Sequence, residues 1–257
     1  MKYIEFSVKE RIGFIILNRP EKRNALNFEM ISELKTAFSV LEKDSQVSAI
    51  ILSARGQAFC AGADLTYLQE LQQFSYEENL ADSNHLKELL LQIYTLKKVV
   101  IAQVQGHALA GGCGLVSVCD FAFSVPDAKF GYTEVKIGFI PAIVLVFLLR
   151  KIGEGKVKQL LLSGELVSAA EAHQLGIVNS IIQAENLSSE VTAFAHKLCL
   201  TNSAYAMMVT KQMIAQVQSM PLETALSFAA EMNAKTRESD DCRRGVGAFL
   251  RKEKLVW

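Results

Sequence analysis

"ALAGGCGLVSVCD", residues Ala108 to Asp120, carries three glycines, Gly111, Gly112 and Gly114, within four positions of an otherwise apolar segment. It follows "VVIAQVQG" (Val99–Gly106), which reads as a buried strand. Small residues just after a strand let a ligand approach the backbone. A helix beginning there would aim unpaired amides and its positive dipole end at an anion. A second loop shares this design: "FCAGADL" (Phe59–Leu65) follows "AIILSARGQ" (Ala49–Gln57). Two convergent amides can hold a phosphate. They can also hold the oxygen that becomes negative when a thioester is enolised, and losing one such preorganised donor typically costs about 3–4 kcal/mol.

Outward from these loops, the chain reads as α/β. "YIEFSV" and "GFIILN" are short apolar or alternating runs separated by "KER", and they predict paired strands. Asn27 precedes a helix whose Met30, Leu34, Phe38 and Leu41 share one face, and can cap it. "VSAIILS" and "FAFSV" are further strands, and "HLKELLLQIYTLKK" is an amphipathic helix. Strands alternate with helices to about residue 150. Ser168 and Glu171 form a capping box whose helix stops at Gly176. From about residue 184 onward only helices are predicted, with Pro221 in the first turn of one. This divides the chain into an α/β part, 1–183, and a helical part, 184–257.

The 257 residues suit one large domain with a helical appendage. Lysine plus arginine, 27, equals aspartate plus glutamate, 27, so no field attracts a nucleic-acid backbone. Five cysteines show no metal-knuckle spacing, and Cys113 and Cys119 read as buried small hydrophobes. No metal is expected. The first residues lack a signal-peptide block, and "GFIPAIVLVFLLRK" is too short to span a bilayer and is broken by Pro141. The expectation is a reducing, cytoplasmic setting with no membrane partner.

"RPEKRNALN", "FCAGADL", "GHALAGG", "CD", "FGYTEVKIGFIP" and "AFLRKEK", in that order, resemble the enoyl-CoA hydratase/isomerase (crotonase) family over nearly the whole chain. The resemblance implies a crotonase-type spiral of ββα units with a helical C-terminal trimerisation region. It implies an acyl-CoA substrate, no cofactor beyond the coenzyme A of that thioester, and a homotrimer or dimer of trimers. It puts the oxyanion amides on Ala63 and Gly111, with Gly112 serving tight packing. Of the two glutamates usual in the family's hydratases, one falls on Glu134 and the other on Gly114. A lone carboxylate suits a delta-3 to delta-2 isomerase, or a hydratase in which one glutamate handles both water and proton. "GCGL" and "EVKIGFIPAIV" are similar to bacterial 3-methylglutaconyl-CoA hydratases of leucine degradation. A non-catalytic acyl-CoA-binding homologue is the rival from another class.

The remaining residues are weighed beside this pattern. Lys22 and Arg23 stand where the family holds the nucleotide, with Ala25 and Ala61 offering backbone groups beside it. Phe249 and Lys252 match a pattern at the subunit edge. Asp64, beside the first loop, is read as the cap of "LTYLQELQQF". Tyr132 can orient water or be buried on a structural hydrogen bond. Ala142 keeps an amide that could meet the attacking water, and "IVLVFLL" after it packs in the core with its first turn against the acyl pocket. His107 reads as a packed, hydrogen-bonded histidine, and Asp120 as a structural residue ending a buried helix.

Overall fold

A computed structural model describes residues 1–257. The chain opens with a hairpin of β1 (Ile4–Lys9) and β2 (Ile12–Leu17), antiparallel with Ile4 opposite Leu17. Its two-residue turn, Glu10–Arg11, has positive φ at both positions, 49° and 67°. That geometry matches the strands' right-handed twist. The Asn27 side chain accepts a hydrogen bond from Met30 N at 3.0 Å and starts α1 (Phe28–Lys43), which buries the predicted apolar stripe.

The chain then climbs through repeating units, each contributing one strand to each of two sheets. The first gives β3 (Ala49–Ala54), β4 (Ala58–Cys60), α2 (Leu65–Leu71) and α3 (Tyr76–Thr95). The second gives β5 (Val99–Val104), β6 (His107–Leu109) and α4 (Gly111–Val118). The third gives β7 (Phe121–Ser124) and β8 (Lys129–Gly131), then a 3-10 turn at Glu134–Ile137, α5 (Ala142–Ile152) and α6 (Glu154–Ser163). The last part of this climb holds β9 (Val167–Ser168), α7 (Ala169–Leu175) and β10 (Ser180–Ile181). The large sheet runs β1-β2-β3-β5-β7-β10 and the small one β4-β6-β8-β9. β3 and β5 are apolar and buried almost throughout, with α8 packed against both.

After β10 only helices follow: α8 (Ala184–Thr201), α9 (Ala204–Val217), α10 (Leu222–Arg237) and α11 (Asp240–Leu250). α8 lays Leu187, Val191, Ala195 and Cys199, spaced by four, onto the large sheet. α10 buries no residue and α11 only Ala248. Two boundaries differ from the sequence reading. α3 begins at Tyr76, because Ser75 and Glu78 close a capping box ahead of a polar stretch without an apolar stripe. α2 is shorter than its pattern and stops at Leu71. The Ser168–Glu171 capping box and the left-handed stop at Gly176 stand as read.

Candidate functional site

Parallel pairing of β4 with β6, Cys60 opposite Ala108, sets the two glycine loops side by side. A Cβ placed on Gly62, whose φ is 95°, would lie 2.8 Å from the Ala110 Cβ and 3.7 Å from Gly111 N. Leu26 joins this junction as a one-residue parallel bridge to Ala63: Leu26 N donates to Gly62 O at 2.7 Å and Asp64 N to Leu26 O at 2.9 Å. Flanking groups turned toward Leu26 leave the Ala63 amide on the opposite side, exposed and without an acceptor in the chain. Gly111 N, the first amide of α4, has no acceptor either.

Ala110 sets the aim of that second amide. Its φ of 47° and ψ of −121° are rare for a residue with a Cβ. Such strain costs about 1–3 kcal/mol and persists only where surroundings over-determine it. Here Ala110 N donates to Gly131 O at 2.8 Å, and Ala110 O accepts from Gly114 N at 2.9 Å. Gly112 has a packing reason: a Cβ would sit 2.3 Å from Cys60 O.

Glu134 opens the 3-10 turn after β8, which Gly138 closes at φ 75°. The Glu134 carbonyl accepts from Phe139 N at 3.0 Å, while the side chain is half-buried. Its Oε2 is buried and has no hydrogen-bond partner. Burial pushes this carboxyl above the usual glutamate range.

Gly114 differs sharply. A Cβ there would lie 2.5 Å from Val144 Cγ1 and 3.9 Å from Leu90 Cδ1. Val144, on the first turn of α5, is 4 % exposed. The position where the family's other carboxylate would begin is therefore filled by a valine from a neighbouring helix, and is not an open space.

The structure also places the remaining predicted residues. Lys22 and Arg23 are exposed on the loop entering α1. That loop is tied to the first glycine loop by Ala61 N donating to Arg23 O at 3.0 Å. Ala25 is 7 % exposed, its N–H donates to Lys22 O and its carbonyl accepts from Arg19, so its polar groups hold the loop together. Asp64 caps α2 through Thr66 N at 2.9 Å and pairs with Arg19 at 2.6 Å in a buried contact. Burial pushes the Asp64 carboxyl up, but hydrogen bonds and the Arg19 charge outweigh it and hold it below its ordinary value. This carboxylate is spent on the fold and faces no ligand. Arg19 itself, inside the "RPEKRNALN" motif, gave no separate sequence signal.

Two expectations are corrected. Tyr132 is 0 % exposed, and its hydroxyl lies 3.0 Å from Ser117 Oγ, so it supports α4 and is not an exposed group that orients water. The Ala142 amide already donates to Ile140 O at 2.9 Å, because the chain turns tightly around Pro141, so it is not a free donor for water. His107 is hydrogen-bonded as expected, its Nδ1 accepting from Lys129 N at 3.1 Å, but it is exposed on β6 and not packed, because it sits at the start of a short strand. Asp120 pairs with Lys211 at 2.7 Å. Phe249 and Lys252 sit at the exposed end of α11, which packs on α10, apart from the Lys22 loop within one chain.

The family model described as "Enoyl-CoA hydratase/isomerase" matches residues 7–257. A crotonyl-CoA hydratase of Syntrophomonas wolfei is 33% identical over 96% of this chain and 94% of its own length. A short-chain-enoyl-CoA hydratase of Clostridium acetobutylicum is 30% identical over 95% of this chain and 93% of its own. The crystal structure of an enoyl-CoA hydratase of Mycobacterium smegmatis superimposes with a TM-score of 0.92 at 32% identity, covering 99% of this chain and 98% of that one.

Proposed function

Since the chain belongs to the enoyl-CoA hydratase/isomerase family, we propose that it is a hydratase adding water across the double bond of an enoyl-CoA thioester. The observation that carries this reading is the conjunction of two acceptorless amides, Ala63 and Gly111, on adjoining loops with a desolvated, unpartnered carboxylate at Glu134. Glu134 takes a proton from water as the water oxygen bonds to the β carbon. The displaced electron pair moves to the thioester oxygen, where the two amides stabilise the enolate. Glu134 then delivers the proton to the α carbon, and the thioester carbonyl re-forms. No second carboxylate is used, because Gly114 is closed by Val144.

The family relationship supports an acyl-CoA substrate, whose nucleotide meets the exposed Lys22 and Arg23. Within that class, 3-methylglutaconyl-CoA is the acyl group we propose first, on the "GCGL" and "EVKIGFIPAIV" segments. We propose a cytoplasmic setting, in keeping with the bacterial relatives; no helix is long and apolar enough to cross a membrane. The helical part from residue 184 is proposed as the trimerisation region, because Leu222, Leu226, Val246, Phe249 and Leu250 all face solvent on α10 and α11.

A second reading, delta-3 to delta-2 isomerisation, is favoured by the valine over Gly114: a lone carboxylate beside an apolar wall can shuttle one proton between two carbons of the same acyl chain. The deciding experiment compares crotonyl-CoA and 3-methylglutaconyl-CoA plus water with a 3-enoyl-CoA. Hydration of either conjugated thioester well above the isomerase rate supports the first reading. Isomerisation alone supports the second, and binding without turnover supports a non-catalytic homologue.

A further inference from the structure

A cavity of about 560 Å3 lies between α5, α9 and the C-terminal end of α4. Gly111 is at the other end of α4, six residues or about 9 Å along the helix from Ser117, the nearest lining residue of α4. Its lining includes neither Ala63 nor Gly111 nor Glu134. Tyr94, Phe147, Met207 and Ile214 supply apolar walls, with the Tyr94 and Phe147 rings 5.2 Å apart.

Four charged groups border it: Asp120, Arg150, Lys151 and Lys211. Two of them cancel. Lys211 donates to Asp120 at 2.7 Å, to Ile93 O at 3.1 Å and to Lys98 O at 3.0 Å, so its three donors are used. The same Asp120 oxygen also accepts from Val100 N at 2.7 Å. The other two cations form no ion pair, although Asp120 also acts on Lys151 at longer range. Arg150 Nη2 donates to Ser219 Oγ at 2.9 Å, but its Nη1 is buried without a partner. Lys151 donates only to Cys119 O at 3.0 Å. Burial lowers the Lys151 pKa and the Asp120 charge offsets this only in part, a direction that an incoming anion would oppose further.

Three cations against one carboxylate on an apolar cavity call for a ligand that is itself half apolar and half anionic. A fully hydrated ion would desolvate against the hydrocarbon walls, and a neutral hydrocarbon would leave the charges and the Arg150 Nη1 donor unmet. We propose that this cavity is a second ligand site, for a monocarboxylate with an aliphatic chain, its carboxylate held by Arg150 and Lys151 and its chain lying against Phe147, Met207 and Ile214. The proposal does not depend on the hydratase reading.

Calorimetric titration with sodium octanoate in the presence of saturating acetyl-CoA tests it, with octan-1-ol and inorganic phosphate as neutral and polar controls. Octanoate should bind, both controls should not, and Arg150→Met and Lys151→Met should each weaken it tenfold or more. Neither variant breaks a close ion pair, and thermal melts would show that they fold. Crystals grown with 8-bromooctanoate should place bromine between α5 and α9. Equal octanoate affinity in folded variants would overturn the proposal. So would bromine only beside Gly111, binding at crystal concentration only, or side chains of a second copy filling the cavity.

Discussion

Gly114 and Glu134 are the two positions on which the family resemblance puts a carboxylate, and this fold treats them in opposite ways. At Glu134 a buried oxygen has no partner, an arrangement that costs stability unless something other than folding requires it. At Gly114 the space is closed by Val144, and every group there is apolar and packed. One position carries an unresolved polar cost and the other carries none. Chemistry is expected where the cost was kept, so Glu134 is the place to look for it.

The largest expected effect breaks the comparison outright if it fails. Glu134→Gln should lower turnover of the best enoyl-CoA by about 10²–10⁴-fold while leaving coenzyme A thioester binding intact, since an amide cannot exchange the proton. Steady-state rates and calorimetric binding measure the two halves. Wild-type turnover in this variant would assign the chemistry elsewhere.

Gly114→Glu probes the other position. A side chain entering against Val144 at 2.5 Å should destabilise by about 1–3 kcal/mol through overpacking alone, with no gain in hydration. Adding Val144→Ala should recover part of that loss. Urea melts of wild type, single and double variants measure it. If the single variant is as stable as wild type, Val144 does not close the position.

Ala110→Gly tests whether strain is stored between the two positions to aim the Gly111 amide. Glycine adopts the φ of 47° freely, so folding stability should rise by about 1 kcal/mol while kcat falls and KM changes little. A rise in both stability and kcat would show that the strain serves nothing.

The smallest effect is in pH. The folded Glu134 pKa lies above its ordinary value because burial disfavours the charged form. Between the unfolded and folded values the native state binds more protons, so Glu134 makes stability fall as pH rises through that window. Glu134→Gln should flatten this slope above about pH 4.5. The acid limb of kcat/KM should also lie above the ordinary glutamate value, since the base must be ionised. Denaturant melts across pH and the rate profile check both, and an acid limb at or below that value would contradict a desolvated base.

The sequence alone specified the repeating strand and helix order, the Asn27 and Ser168 caps, the two glycine loops and the glutamate on the turn after β8. Each is legible because it depends on neighbours within a few residues: alternation, a capping side chain, small residues after an apolar run. Glu134 was legible only through the order of motifs, since a lone glutamate in a turn is ordinary. Tertiary structure alone decided that Val144 closes Gly114, thirty residues away in sequence, that Ala110 is strained, that Tyr132 turns to Ser117, and that the Ala142 amide is spent on Ile140. Those outcomes depend on which side chains α4, α5 and the small sheet bring within 3 Å of one another. No local pattern carries that, because steric occupancy is a property of the packed neighbours and not of the residue whose space they fill.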